Sequence, residues 1–69
     1  MNTYQKNLAL NLNFDLRKQG VPDYVTCREA ANICSQHGVV NSKYGKYSNN
    51  NPYRRLDVAV YIAKNGGNA

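Results

Sequence analysis

Residues 25–38 read VTCREAANICSQHG, and this stretch predicts a short helix with a defined beginning and end. Thr26 and Glu29 have the spacing of a capping box, in which the threonine side chain accepts from the Glu29 N–H while the glutamate reaches back to the Thr26 N–H. Gly38 closes the stretch, where a glycine can take the left-handed conformation that ends a helix. We therefore expect a helix over residues 27–37.

The two cysteines of the chain lie on this predicted helix and cannot bond to each other there. Cys27 and Cys34 are seven residues apart, which separates their Cα atoms by about 10.5 Å on a helix, whereas a disulfide needs less than about 7 Å. A zinc site built on them would add His37 and still lack a fourth ligand and a second close pair. We expect buried, free thiols in a reducing cytoplasm, with no metal and no cofactor.

The segment before this helix, residues 7–19, fits either a strand or a helix. Apolar residues occupy every second position from 8 to 16, as in a half-buried strand, but positions 4, 8, 12 and 16 also share one face of a helix. Gly20 and Pro22 follow as a helix stop, so we favour a helix. Leu10 and Phe14 then form a second apolar face, which suits a helix packed between two others or at a dimer interface.

The last apolar segment, residues 56–64, supports the same two interpretations. Apolar residues alternate from Leu56 to Ile62, and their β-branching favours a strand. A helix instead places Leu56, Ala59 and Ala63 on one stripe. The sequence Lys-Asn-Gly that follows is typical of a helix end. We expect a helix over residues 57–64, with residues 53–55 extended before it.

Between these segments lies a basic, tyrosine-rich stretch. Residues 38–55 carry four cations and no acid, whereas residues 1–23 carry three cations and two acids. A short helix capped by Asn41 or Ser42 is weakened by Gly45 at a cost of about 1 kcal/mol relative to Ala. Lysines can contact phosphates, asparagines and serines offer neutral hydrogen bonds, and tyrosines can stack on bases. The residues predicted to bind a partner are Asn41, Ser42, Lys43, Tyr44, Lys46, Tyr47, Arg54 and Arg55.

We predict that the four cations of this stretch form one positive surface with Tyr44 and Tyr47 interleaved. The alternative is a solvated loop whose lysines only keep the protein in solution. A net charge of +5 on so small a chain favours a polyanion or an acidic protein surface as the partner.

Composition limits the other classes of function. A chain of 69 residues with 42% hydrophobic and 19% charged residues can form one small domain, spanning residues 1–69, and lacks an apolar run that could cross a membrane. It holds one histidine and one glutamate, and no nucleophile elbow, zinc-protease motif or phosphate-binding glycine loop. We therefore expect a protein of the cytoplasm that is not an enzyme.

Two pieces of the sequence resemble excisionase-like and MerR-like winged helix-turn-helix domains. Residues 24–31 (YVTCREAA) are similar to their opening, in which a hydrophobic residue and a capping Thr or Ser precede a Glu-Ala-Ala helix. Residues 53–62 (YRRLDVAVYI) look like their later pattern, a Tyr-Arg wing strand before an Asp-Val-x-x-Tyr-Ile helix. The resemblance implies that residues 41–47 replace the recognition helix and that Arg54 and Arg55 belong to the wing.

Two regions depart from that pattern. Residues 39–51 (VVNSKYGKYSNNN) contain Gly45 and few apolar anchors where the family has its recognition helix, and residues 1–20 precede the usual start of an excisionase. The expected fold is mainly α: a small single domain of three to four short helices, with room for a two-stranded wing.

The expected function follows from the resemblance and the charge. It is that of a small basic protein, often encoded by phages or mobile elements, that binds double-stranded DNA as an accessory or regulatory factor in a bacterial host. The alternative is a phage-type protein that grips an acidic surface of a host enzyme, such as RNA polymerase or a nuclease, and inhibits or modulates it. No membrane partner is expected, and the oligomeric state stays open.

Overall fold

The computed structural model describes residues 1–46 and 52–66, and within these residues the fold is mainly helical. Two very short strands form a small antiparallel sheet beside the helices. The expectation of a mainly α fold with a two-stranded sheet is confirmed. In chain order the elements are α1 (Thr3–Lys18), β1 (Tyr24–Val25), α2 (Cys27–Gln36), a 3₁₀ turn (Lys43–Lys46), β2 (Tyr53–Arg54) and α3 (Arg55–Asn65).

The first segment is a helix, and it begins four residues earlier than the sequence analysis placed it. Asn2 and Gln5 form a capping box: Asn2 Oδ1 accepts from the Gln5 N–H at 2.8 Å, and the Gln5 side chain accepts from the Asn2 N–H at 3.2 Å. This box satisfies two donors that a helix start leaves unpaired. The inner face of α1, with Ala9 and Leu16 each 1% exposed, packs mainly against α3.

The capping box predicted for α2 is confirmed. The Glu29 N–H donates to Thr26 Oγ1 at 3.1 Å, and the Thr26 N–H donates to Glu29 Oε1 at 2.9 Å. The helix ends at Gln36, one residue earlier than expected, with His37 as its C-cap. Gly38 has a φ of +89°, so it takes the left-handed conformation predicted for the helix end.

The two strands bring together segments that are far apart in the chain. Tyr24 pairs with Arg54 and Val25 with Tyr53 in an antiparallel register. Residues 53–55 were expected to be extended, and this is wrong for Arg55, which is the first residue of α3. One further hydrogen bond, from the Arg55 N–H to the Asp23 carbonyl at 2.7 Å, continues this pairing, and the sheet ends there because the chain turns into α3.

The core lies where the three helices and the sheet meet. Both cysteines are free and buried, with Cys27 2% and Cys34 0% exposed, as expected for the packing face of α2. Because the buried side chains on this face of α2 are small, the helix packs closely against the neighbouring elements. The buried cluster consists of Leu16, Val25, Cys27, Ala30, Ile33, Cys34, Val39, Tyr44, Val58 and Ile62. None of the helices in the described part of the chain has both the length and the apolar character needed to cross a bilayer.

Candidate functional site

The basic stretch after α2 is held against that helix by its backbone. The Val39 N–H donates to the Cys34 carbonyl at 2.8 Å, and the Cys27 thiol donates to the Tyr44 carbonyl. Ser42 is 5% exposed, and its hydroxyl hydrogen-bonds the Cys34 thiol. These contacts hold residues 39–46 against α2 with one 3₁₀ turn, where the sequence suggested a short helix. Ser42 therefore serves the interior rather than a partner.

Tyr44 is a core residue, so the prediction that it is interleaved on a positive surface is wrong. Its side chain is 1% exposed, and its ring meets Tyr53 at 4.9 Å and Tyr61 at 5.4 Å between centroids, both edge to face. Such aromatic contacts add stability beyond the buried area. Burial raises the pKa of the Tyr44 phenol well above its ordinary value of 10.0.

Arg55 is also internal, and its predicted place on an exposed positive surface is wrong. The residue is 9% exposed. Its guanidinium donates to Asn13 Oδ1 and to the Val21 carbonyl, each at 2.8 Å, and lies 3.1 Å from an Asp23 carboxylate oxygen. These partners occupy the face of the group that a phosphate would use, so Arg55 joins α1 to the loop before β1.

Arg54 is exposed, but its charge is matched within the chain. The guanidinium donates to both carboxylate oxygens of Asp57 at 3.0 Å, in a bidentate pair. These hydrogen bonds raise the pKa of Arg54. The positive potential around β2 is therefore weaker than the sequence alone suggests, because a phosphate must compete with Asp57 for the same fork of donors.

Lys43 and Lys46 are the remaining cations of the stretch, and both are exposed. The Lys43 ammonium lies 5.3 Å from the ring centroids of Tyr44 and Tyr61, within the range of a cation–π contact. Asn41 is exposed beside them. We name Asn41, Lys43 and Lys46 the turn surface, and Arg54 is kept apart from it because its donors are engaged with Asp57. Of the other predicted site residues, Tyr47 lies outside the described residues.

A second exposed surface lies on α1, where the sequence analysis assigned no binding residue. Leu10 is 49% and Phe14 56% exposed, although both are large apolar side chains. Arg17 and Lys18 follow on the same side, and the Lys18 ammonium lies 5.4 Å from the Phe14 ring centroid. The sequence did indicate this surface, because Leu10 and Phe14 form a second apolar face when residues 7–19 are interpreted as a helix. We name these four residues the outer face of α1.

An open groove runs between α1 and the end of α3. It has a volume of about 450 Å³, and Tyr4, Leu8, Asp15, His37 and Lys64 are among its lining residues. Within residues 1–46 and 52–66, no group of three or more His, Cys, Asp or Glu side chains is placed to hold a metal ion. The mixed lining of the groove does not indicate a particular ligand.

Comparison with known proteins gives no relative for this chain: no family model, no curated protein and no solved structure matches it. The resemblance to winged helix-turn-helix domains therefore stays a prediction that rests on residues 24–31 and 53–62.

Proposed function

We propose that this protein is a DNA-binding accessory or regulatory factor that contacts double-stranded DNA through the turn surface. The observation that carries the proposal is the pairing of β1 with β2. Their register sets Tyr24 opposite Arg54 and so places the capped Glu-Ala-Ala helix next to the Tyr-Arg strand. This is the order of parts that the resemblance implies for a wing beside a helix, and the lysines of the turn lie between them in sequence.

The turn presents its two lysines in a fixed arrangement. Residues three apart on a 3₁₀ helix eclipse each other at about 6 Å along the axis, so Lys43 and Lys46 project to the same side. The contacts of the turn with Cys27 and Cys34 order its backbone before a partner arrives. Binding then costs less conformational entropy than it would for lysines on a free loop.

The surface supports phosphate contact better than base readout. Lys43 and Lys46 are point charges that suit phosphate oxygens, whereas the forked donors of Arg54 are engaged with Asp57. We therefore propose a strongly salt-dependent interaction in which about two phosphates are neutralised by the turn. This role is one of binding without catalysis.

The same proposal places the protein in the cytoplasm of a bacterial host, as a product of a phage or mobile element.

A salt series tests the proposal. The affinity of the protein for a fluorescent DNA duplex is measured by anisotropy at increasing salt, and the double variant Lys43→Gln/Lys46→Gln is compared with wild type. We expect the slope of log K against log[salt] to become less negative by about 1.8, since each phosphate contact contributes about −0.9.

The matched control removes the same amount of charge elsewhere. The double variant Lys6→Gln/Lys64→Gln also lowers the net charge from +5 to +3, and it should leave the slope as in wild type. Equal slopes for the two double variants would mean that only overall charge matters. Absence of binding by wild type at low salt would reject DNA as the partner.

A further inference from the structure

The outer face of α1 is apolar at its centre although no part of the described chain covers it. A helix turns by about 100° per residue, so Leu10 and Phe14 point about 100° and 140° away from Ala9, which is buried against α3. The core therefore cannot reach these two side chains. They are one turn apart and form a continuous apolar strip that remains in water.

The charges beside this strip have one sign. Arg17 and Lys18 follow Phe14 by three and four residues, which places both beside its ring on the helix surface. Neither forms a salt bridge within residues 1–46 and 52–66. The nearest acid in the sequence is Asp15, which points about 100° away from Phe14 and lines the groove toward α3. It lies three residues before Lys18 on the helix surface but forms no salt bridge with it.

From this combination we infer that the outer face of α1 is a docking site for an acidic, amphipathic helical segment of another protein. Apolar side chains of the partner cover Leu10 and Phe14, and its carboxylates pair with Arg17 and Lys18. The order of the residues gives the contact a direction: the acidic part of the partner lies toward the C-terminal end of α1. The inference does not depend on DNA binding, since it uses different residues.

Other occupants fit the same face less well. A second copy docked through the same face would bring two bodies of charge +5 together and set Arg17 and Lys18 against a face that itself carries two cations. A nucleic acid backbone gains nothing from covering a leucine and a phenylalanine. A bilayer needs a broad apolar face, whereas Thr3 and Asn7 share this side of α1 with the two apolar residues.

The test is a titration followed by ¹H–¹⁵N NMR of the labelled protein. The probe is a synthetic helical peptide with leucines at i, i+4 and i+7 and glutamates beside them. One control peptide carries lysines in place of the glutamates, and another keeps the composition but scatters the leucines around the helix. We expect amide shifts centred on Leu10, Phe14, Arg17 and Lys18 with the first peptide alone.

Protein variants test the assignment of the residues. Phe14→Gln should weaken peptide binding by at least about tenfold, as for a central interface residue. Arg17→Gln/Lys18→Gln should weaken it and reduce its salt dependence. Val40→Ser is the matched control, because Val40 is 73% exposed in the turn that follows α2, and it should bind as wild type. Glutamine favours helices, and circular dichroism checks that each variant keeps its fold.

Several results would overturn the inference. These are equal binding of the scattered or lysine peptide, no binding of the acidic peptide, or full affinity in Phe14→Gln. A wild-type dimer in sedimentation that Phe14→Gln dissociates would identify a second copy as the occupant. Binding to vesicles of phosphatidylglycerol that depends on Phe14 would identify a membrane instead.

Discussion

At the scale of single residues, the two neighbouring arginines have opposite roles. Arg54 is the last residue of β2 and lies at the surface with Asp57, whereas Arg55 begins α3 and points inward to Asn13 and Val21. Successive side chains along a strand point to opposite sides, so Arg54 at the end of β2 and Arg55 at the start of α3 face different surroundings. The sequence shows two adjacent cations and cannot distinguish them.

We expect Arg55→Ala to lower the free energy of unfolding by about 3 kcal/mol. The substitution leaves Asn13 Oδ1 and the Val21 carbonyl without their charged donor in a partly buried place, and hydrogen bonds to charged groups are the more costly ones to lose. Urea unfolding measures the change. Arg54→Ala is the control and should cost much less, because its pair with Asp57 is exposed. Equal effects of the two variants would contradict the structural role of Arg55.

Two buried groups that can lose a proton, a thiol and a phenol, make the free energy of unfolding fall at alkaline pH. Burial raises the pKa of the Cys34 thiol above 9.0 and that of the Tyr44 phenol above 10.0. The unfolded chain therefore releases these protons first, so the stability they contribute is complete below about pH 9 and is lost as the pH rises. Urea unfolding from neutral to strongly alkaline pH should show this decline.

The variant Tyr44→Phe should make that decline shallower. It keeps the buried ring and removes the phenol, whose hydroxyl lies 3.5 Å from the Asp57 carbonyl, at the limit of a hydrogen bond. Tyr4→Phe, at a tyrosine that is 68% exposed, is the control and should follow the wild-type curve. If the free energy of unfolding of Tyr44→Phe fell with pH as steeply as that of wild type, the Tyr44 phenol would not contribute to the pH dependence.

At the scale of elements, the helix starts depend on short side-chain contacts that can be tested singly. Thr26→Ala should lower the free energy of unfolding by about 1 kcal/mol, because the Glu29 N–H loses its acceptor at the start of α2. Thr26→Ser keeps the hydroxyl and should retain most of the stability. Thermal unfolding of the three proteins measures the difference, and an unchanged midpoint in Thr26→Ala would show that the Thr26 side chain does not stabilise the start of α2.

Elements with local signals were predictable, and those that depend on distant contacts were not. The bounds of α2 were predicted to within one residue because Thr26, Glu29 and Gly38 act on their own neighbours. The capping box at Asn2 and Gln5 has an equally local pattern, and it could have given the start of α1 from the sequence. Tyr44 gave no such signal, because its burial depends on Tyr53 and Tyr61, which approach it only in the fold.

In the candidate site, too, the features set by a residue's own chemistry were predictable and those set by distant contacts were not. Exposure of Lys43 and Lys46 agrees with the sequence analysis, since lysine ammonium groups stay in water unless they find a partner. The pairing of Arg54 with Asp57 has the three-residue spacing of helix-surface pairs, but it lies across the end of β2, where the sequence did not indicate a helix. The internal position of Arg55 depends on the contact between α1 and α3, because its guanidinium donates to Asn13 of α1. No local sequence pattern predicts that contact.

At the scale of the whole molecule, α1 is part of the core although residues 1–20 precede the part that resembles a winged helix-turn-helix. Its largest interface is with α3, and Leu16 belongs to the central buried cluster. The outer face of α1 turns away from α3, whereas Lys43 lies against Tyr61 of α3. The two exposed surfaces that we propose for binding therefore lie on different elements, one on α1 and one on the turn packed against α2 and α3.

We expect these surfaces to act independently. The molecule extends 32 × 24 × 18 Å, and at 0.1 M salt exposed charges are screened beyond about 10 Å. Lys43→Gln/Lys46→Gln should therefore weaken DNA binding and leave the acidic peptide bound as by wild type, while Phe14→Gln should do the reverse. Both assays are run on both variants at the same ionic strength, with melting curves to confirm folding. If either variant weakened the binding of both ligands equally, the two ligands would share one surface, and the assignment of two independent surfaces would be wrong.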